Sequence, residues 1–491
     1  MSSPLKYMIG VDIGTSSTKV IALLPSGHVQ ALYQQAYATQ QPQPGHSEQN
    51  PHDILQAVTR GIRQVAQEMK QPPAGICFSS AMHSLMAVDA QGQPLTPLLT
   101  WADNRSQEIA DALRPTGQGK ALYYQTGTPI HPMTPLCKIS WLRQHATPLF
   151  ARTAQWLGIK EYVLYRLFGK YVADYSIASA TGLFDIHALM WSPQAMQAAG
   201  ITTAQLPEPV PTDHILRNLP EHVAWDLGIP ADTPFIIGAS DGCLAQLGSG
   251  ALAPGHATLT IATSGALRIA TTKPVRDEQQ RIFNYILDAR HFVTGGPVNN
   301  GGIILQWFVR DFLQQKDADL DTYIEQALAI PPGAAGLVCL PYLLGERAPV
   351  WDGHARGVFI GVQPQHTAMH FMRAAMEGIA FGLLSIANAL RETAGPLQQI
   401  AVSGGFTASP GWIQLMADVF QQPMHLEQQN DASALGAAMM GFGALGIAFE
   451  GLPAATATIY TPRTEHAAVY EKHYRLYSEL YGRLKDVMHQ L

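Results

Sequence analysis

The residues of this chain that could do chemistry gather at strand ends and at glycine turns. Asp12 closes an apolar β-type run, Tyr7–Ile13. Gly14, Thr15 and Ser16 follow it, and Lys19 opens a second β-rich run, Lys19–Leu24. Two such runs around a short glycine and hydroxyl turn read as a hairpin. Its tip would expose backbone N–H groups and hydroxyls suited to phosphate oxygens, with a carboxylate at its base placed to act through a divalent metal. An ordinary hairpin turn is the competing reading. A Walker A loop is excluded, because no second glycine precedes Lys19, no Ser or Thr follows it, and a strand replaces the helix.

The same design returns at Ala257–Ala262, Thr263-Ser264-Gly265 and Ala266–Thr271. Between the two hairpins a buried run from Phe235 ends in Asp241-Gly242 ahead of a small-residue helical segment. Asp12 and Asp241 thus both end strands, where a sheet delivers side chains to a cleft. One carboxylate can serve a metal on a phosphate while the other accepts a hydroxyl proton, and spacing alone does not assign the two roles. A helix N-cap is the plainer reading of Asp241. Two phosphate-type hairpins and two strand-ending carboxylates suit phosphoryl transfer from a nucleoside triphosphate.

The elements that must position these residues form two α/β lobes. A third strand over His28–Tyr33, a helix capped by Asn50 with Pro51 in its first turn, and a strand Gly75–Ser79 complete the first lobe. In the second, Asn299-Asn300-Gly301-Gly302 opens a helix. A long helix covers Thr367–Arg391, and strands cover Gln399–Ser403 and Met424–Glu427. The join falls near residue 245, giving lobes 1–244 and 245–491. The tail places Val469, His473, Leu476, Leu480, Leu484 and Val487 on one face of a docked helix. Gly441-Phe442-Gly443-Ala444-Leu445-Gly446 spells G-x-G-x-x-G, but it ends a helical stretch instead of linking a strand to a helix, so no dinucleotide site follows.

Composition narrows the partners. At 491 residues, with 47% hydrophobic and 14% charged residues, the chain is compact and globular. A net charge of -6 argues against nucleic acid or an anionic membrane as the main partner. The four cysteines, Cys77, Cys137, Cys243 and Cys339, form no C-x-x-C pair and suit buried thiols in a reducing compartment. No basic-then-apolar leader and no run of about 20 apolar residues is present, so a cytoplasmic protein is expected.

Several strings carry a specific resemblance. Asp12–Lys19, Met133–His145, Gly357–Val362 with His370–Glu377, and Ser403-Gly404-Gly405 are similar, in order, to the motifs of the FGGY carbohydrate kinase family. The resemblance implies an α/β, two-lobed fold of the actin, Hsp70 and ribonuclease H type, with ATP in the cleft and Mg2+ as cofactor. It implies Asp241 as catalytic base, Asp12 as the residue orienting the metal, and Thr15, Ser16 and Lys19, with Gly14, as the first phosphate grip. Thr263, Ser264 and Gly265 would form the second grip, Gly302 would lie near the nucleotide, and Gly404, Gly405 and Phe406 would border the adenine. Many members carry a small residue where this chain has Phe406.

Within the family, Ser80–Ser84, Thr100–Ser106 and Thr128–Met133 are most similar to the members that phosphorylate gluconate. Such a sugar acid needs N–H donors for its carboxylate and polar partners for its hydroxyls. His83, Arg105 and His131 could donate, Asp103 could accept, and Trp101 could wall the sugar. The competing readings are core histidines, an Asp103–Arg105 ion pair and simple packing of Trp101. The alternatives in function are a xylulose or other ketopentose kinase and a non-enzymatic ATP switch. Dimers are common in the family, so a homodimer is expected by analogy alone.

Overall fold

The computed structural model describes residues 6–426, 431–453 and 457–491. Glu427, expected to end a strand, lies outside them. The first sheet contains β1 (Met8–Ile13), β2 (Ser17–Leu23), β3 (Val29–Ala36), β4 (Gly75–Ser80), β5 (Ile215–Leu216) and β6 (Phe235–Ser240), in the order β5-β6-β4-β1-β2-β3. Helix α1 (Pro51–Met69) covers it, capped by Asn50, whose side chain accepts from the His52 N–H. Its buried residues Ile54, Val58, Ile62 and Val65 keep the expected helical spacing.

The second sheet repeats the plan. Its strands are β7 (His256–Ile261), β8 (Gly265–Thr271), β9 (Phe283–Ile286), β10 (Phe292–Val298), β11 (Gln399–Ser403), β12 (Met424–Leu426) and β13 (Thr458–Tyr460). Their order is β9-β10-β8-β7-β11-β12-β13. In both sheets the first strand of the opening hairpin pairs antiparallel with its partner and parallel with a later strand, β1 with β4 and β7 with β11. Both hairpin tips therefore stand at the same ends of their sheets.

Two helices join the lobes. Helix α3 (Asp241–Gly248) leaves the end of β6, and α7 (Ala432–Ala444) packs on β1 and β4 although it comes from the second half of the chain. Where they cross, a Cβ on Gly248 would stand 1.9 Å from Ala432 O, and one on Gly436 would stand 2.0 Å from Leu244 O. Gly441 of the rejected G-x-G-x-x-G string lets α7 lie close on the first sheet, where a Cβ would stand 2.7 Å from Met8 Sδ and 3.1 Å from Cys77 Cβ. In β6, Gly238 has φ 72° at a bulge where a Cβ would meet Phe78 O. The bulge re-aims the end of the strand that presents Asp241.

The tail helix α8 (Ala467–Met488) docks through a face rotated from the expected one. Tyr470, His473, Tyr477 and Met488 are buried, while Leu476 and Val487 are exposed. Tyrosines win this face because each buries a ring and satisfies its hydroxyl, as in Tyr477 Oη to Tyr342 Oη at 3.0 Å and Tyr481 Oη to Asp352 Oδ2 at 2.7 Å.

Because each crossing glycine faces a backbone carbonyl, Gly248→Ala and Gly436→Ala should each cost about 1–3 kcal/mol. Denaturant unfolding monitored by near-UV circular dichroism measures this, and unchanged midpoints would show that the crossing can spread without loss.

Candidate active site

A cavity of about 240 Å³ opens between the lobes. The first lobe contributes Thr15, Met82, His83, Trp101 and Asp241, and the second contributes Ser264, Gly265, Arg268, Tyr285 and Arg347.

Asp12 stands opposite Lys19 of β2 and Ser79 of β4. Ser79 Oγ donates to its Oδ1 at 2.7 Å, and Ser433 Oγ of α7 donates to its Oδ2 at 2.9 Å. Burial raises the Asp12 carboxyl above the usual range, opposed by those two hydroxyls and by Lys19. The Lys19 ammonium pairs with Asp431 at the start of α7, so it ties the hairpin to that helix instead of standing free over the turn. Thr15 lies at the cavity edge, where Trp101 Nε1 donates to its Oγ1 at 3.0 Å and Gln49 Nε2 to its carbonyl at 2.6 Å. The Tyr37 hydroxyl donates to Gly14 O, and Ser16 is exposed at the tip.

Asp241 is the first residue of α3, and Ser240 occupies the N-cap position. The Gly242 N–H donates to Asp241 Oδ1 at 2.6 Å. Burial pushes the Asp241 carboxyl up to about 6; the negative charge of Asp12 adds to this and the Arg268 guanidinium opposes it.

His83 has φ 63°, and its Nε2 stands 3.3 Å from Tyr285 Oη, while its buried Nδ1 has no partner among the described residues. Burial first, then the charges of Lys138 and Arg347, lowers it to about 3, so the ring is neutral. Lys138 belongs to helix α2 (Pro135–His145) and donates to His83 O at 2.8 Å and Thr100 O at 2.6 Å. It thereby fixes the loops that carry His83 and Trp101, and burial brings its amine down to about 7. The Arg347 guanidinium lies over the Trp101 ring at 4.4 Å.

Three expected sugar contacts fall elsewhere. The Asp103 carboxylate is fully buried and accepts from Arg105 Nε at 2.8 Å, Arg105 Nη2 at 2.7 Å and Ser47 N at 2.7 Å. Arg105 Nη2 also donates to Glu48 Oε1 at 2.5 Å, so both groups are consumed in an ion-pair cluster that holds the Trp101 loop. His131 is buried with its Nδ1 accepting from Met133 N at 3.2 Å and its ring edge-on to Trp351. Burial lowers its pKa well below the usual value. None of the three lines the cavity.

The second hairpin borders both this cavity and another of about 280 Å³, lined by Thr263, Gly302, Gln306, Gly405, Phe406 and Trp412, among others. Helix α4 (Gly302–Trp307) starts against the hairpin, with Gly302 N donating to Ala262 O at 2.7 Å and Ile303 N to Thr263 O at 3.2 Å. Phe406 packs edge-on against Trp412 at 5.7 Å, and Gly404 passes Ile261 with no room for a side chain. Sequence reasoning missed Arg268, Arg347 and Tyr285. Arg268 left one signal, a single charge within the otherwise apolar run Ala266–Ala270.

A duplicated sheet with a hairpin-lined cleft between two lobes defines the actin-like ATPase fold. Residues 7–248 match the N-terminal domain of the FGGY family of carbohydrate kinases and residues 257–445 match its C-terminal domain. The chain belongs to the FGGY family of carbohydrate kinases. It is 42% identical over 454 residues to a gluconokinase of Bacillus subtilis (strain 168), covering 90% of this chain and 88% of that one. Two solved structures superpose with a TM-score of 0.92 at 35% identity, a gluconate kinase and a ligand-bound xylulose kinase, both from Lactobacillus acidophilus. They cover 98% of this chain and 98% and 99% of theirs, respectively.

Removing the Lys138 amine strands two buried carbonyls, each worth about 1–3 kcal/mol. Lys138→Met should therefore lower the unfolding midpoint clearly in thermal melts, and an unchanged midpoint would mean that the His83 and Thr100 loops hold themselves.

Proposed function

We propose that this chain transfers the γ-phosphoryl group of ATP to the terminal hydroxyl of D-gluconate, giving 6-phospho-D-gluconate and ADP. The observation that carries this reading is the single cavity that brings Asp241 together with Thr15 of one hairpin and Ser264 and Gly265 of the other. A base and two phosphate grips are what in-line transfer to a hydroxyl requires.

In this reading Asp241 accepts the proton of the attacking hydroxyl as the O–P bond forms. The two hairpin tips hold the β- and γ-phosphates with backbone N–H groups and hydroxyls. The base of the nucleotide lies toward Gly302, Gly405 and Phe406. The neutral His83, the Tyr285 hydroxyl and the Trp101 ring form the sugar wall. Asp103 and Arg105 act at one remove, by fixing the Trp101 loop. A magnesium ion fits the donor chemistry here, since Mg2+ is held through one or two carboxylates plus phosphate oxygens and water. Asp12, whose charge already raises the Asp241 carboxyl, is the residue that would orient it. Bound, the ion would neutralise charge on the phosphates.

The ketopentose reading is kept by the equal structural likeness to the xylulose kinase. Coupled ADP release measured with gluconate, xylulose, ribulose and glycerol separates the two. Gluconate should give the highest kcat/KM, and a preference for xylulose would overturn the assignment. Sugar-independent ATP hydrolysis without a phosphorylated product would favour the non-enzymatic switch.

Two further outcomes concern the base. Asp241→Asn should lose at least about 100-fold in kcat while ATP binding changes little, since general base catalysis contributes about 10²–10⁴. Near-normal turnover would remove Asp241 from that role. Because the carboxyl must be ionised to accept a proton and burial raises it to about 6, kcat/KM for gluconate should fall as pH drops below about 6. A flat profile down to pH 4.5 would contradict this.

A further inference from the structure

We propose that Arg268 and Arg347 together receive the carboxylate of the acceptor and so select a sugar acid over a neutral sugar. This rests on the kinase reading above.

Both guanidiniums line the interlobe cavity, Arg347 buried and Arg268 half-buried with its Nε enclosed, and neither makes an ion pair among the described residues. The Nε atoms of both have no acceptor. Arg347 makes one side-chain hydrogen bond, from Nη2 to Val298 O at 3.1 Å, and Arg268 makes none among the described residues. A desolvated cation without an ion-pair partner is costly, and here two share one cavity, with the charge of Arg268 disfavouring that of Arg347. Asp241 offsets part of that cost for Arg268 and Glu346 part of it for Arg347, but neither forms an ion pair with its arginine among the described residues. Asp241 is committed to the acceptor hydroxyl in the proposed reaction. Glu346 already accepts from Asn299 N at 2.6 Å, Asn300 Nδ2 at 3.0 Å and Arg347 N at 2.8 Å, and burial raises it to about 7. The missing partner is an anion that arrives with a substrate, and a carboxylate matches the planar donor fork of arginine.

A phosphate could supply the same charge, but the placement favours the sugar end. Arg268 lies three residues along β8 from Gly265, roughly 10 Å from the hairpin tip at strand spacing. Its Nε comes within 3.1 Å of the point where a Cβ on Gly242 would sit, so the glycine beside Asp241 makes room for it. Arg347 covers Trp101 on the wall shared with His83 and Tyr285, and neither arginine borders the second cavity.

The test is calorimetric titration of the full chain, without nucleotide, with D-gluconate and with D-glucitol, whose CH2OH replaces the carboxylate. ATP is titrated separately. Wild type should prefer gluconate strongly. Arg268→Gln and Arg347→Gln should each weaken gluconate about 10- to 100-fold, the worth of a charge-assisted pair, with glucitol and ATP within about twofold. Arg268→Lys should recover part of the loss. Since Arg268 makes no side-chain hydrogen bond or ion pair among the described residues, the thermal midpoint of the free Arg268→Gln protein should hold or rise, whereas Arg347→Gln also gives up the bond to Val298 O. Equal losses for gluconate and glucitol, a lowered midpoint for Arg268→Gln, or weakened ATP with gluconate unchanged would overturn the inference; the last would assign the arginines to the phosphoryl group. If wild type prefers xylulose in the ADP-release assay, the substrate reading itself fails. If wild type phosphorylates gluconate and the variants bind it normally, only the carboxylate assignment fails.

Discussion

The contact on which the rest of this structure depends is the crossing of α3 and α7 at Gly248 and Gly436. There each helix meets the other's backbone with no side chain between. Helix α3 begins with Asp241, while α7 supplies Ser433 to Asp12 and begins beside Asp431, the partner of Lys19. One close approach therefore sets the spacing of the two carboxylates and braces the first hairpin. Small residues are needed along both helices for the same reason that a dry interface of two backbones admits no Cβ.

The site's electrostatics follow from burial. Titratable groups that face the cavity are moved toward neutrality by burial: Asp241 up to about 6, His83 down to about 3, and Arg347 down to about 10. Behind the wall, several charges are instead held in ion pairs. Asp103, Arg105 and Glu48 form a closed cluster, and the Lys160 ammonium beneath β6 pairs with Asp174 at 2.6 Å and donates to Ala239 O at 3.0 Å. Ion-paired charges hold the scaffold, and the cavity keeps ionisable groups that no ion pair satisfies.

What could be read from the residue order was whatever depends on local pattern. Both hairpins, the Asn50 cap and the strand ending near Asp241 all follow from runs of about a dozen residues or fewer, where turn chemistry and strand alternation act. The family strings added the fold. The cavity wall was only half legible. Whether Arg105 faces a substrate or an ion pair depends on Glu48, 57 positions away, and the bland reading was the one realised. Arg268 and Arg347 lie on separate strands and loops, so their shared cavity arises only once the lobes are packed. The tail helix keeps His473, Leu480 and Leu484 of the expected face, while Tyr470 and Tyr477, which pack a ring and satisfy a hydroxyl, are buried beside them and Leu476 and Val487 are left exposed.

The most direct measurement is a crystal structure of the chain with D-gluconate and a non-hydrolysable ATP analogue. The terminal hydroxyl should lie within about 2.6–3.2 Å of the Asp241 carboxylate, with the gluconate carboxylate between Arg268 and Arg347 and the triphosphate spanning both hairpin tips. A sugar bound in the opposite direction, or a phosphate resting on the two arginines, would contradict the assignment of this cleft.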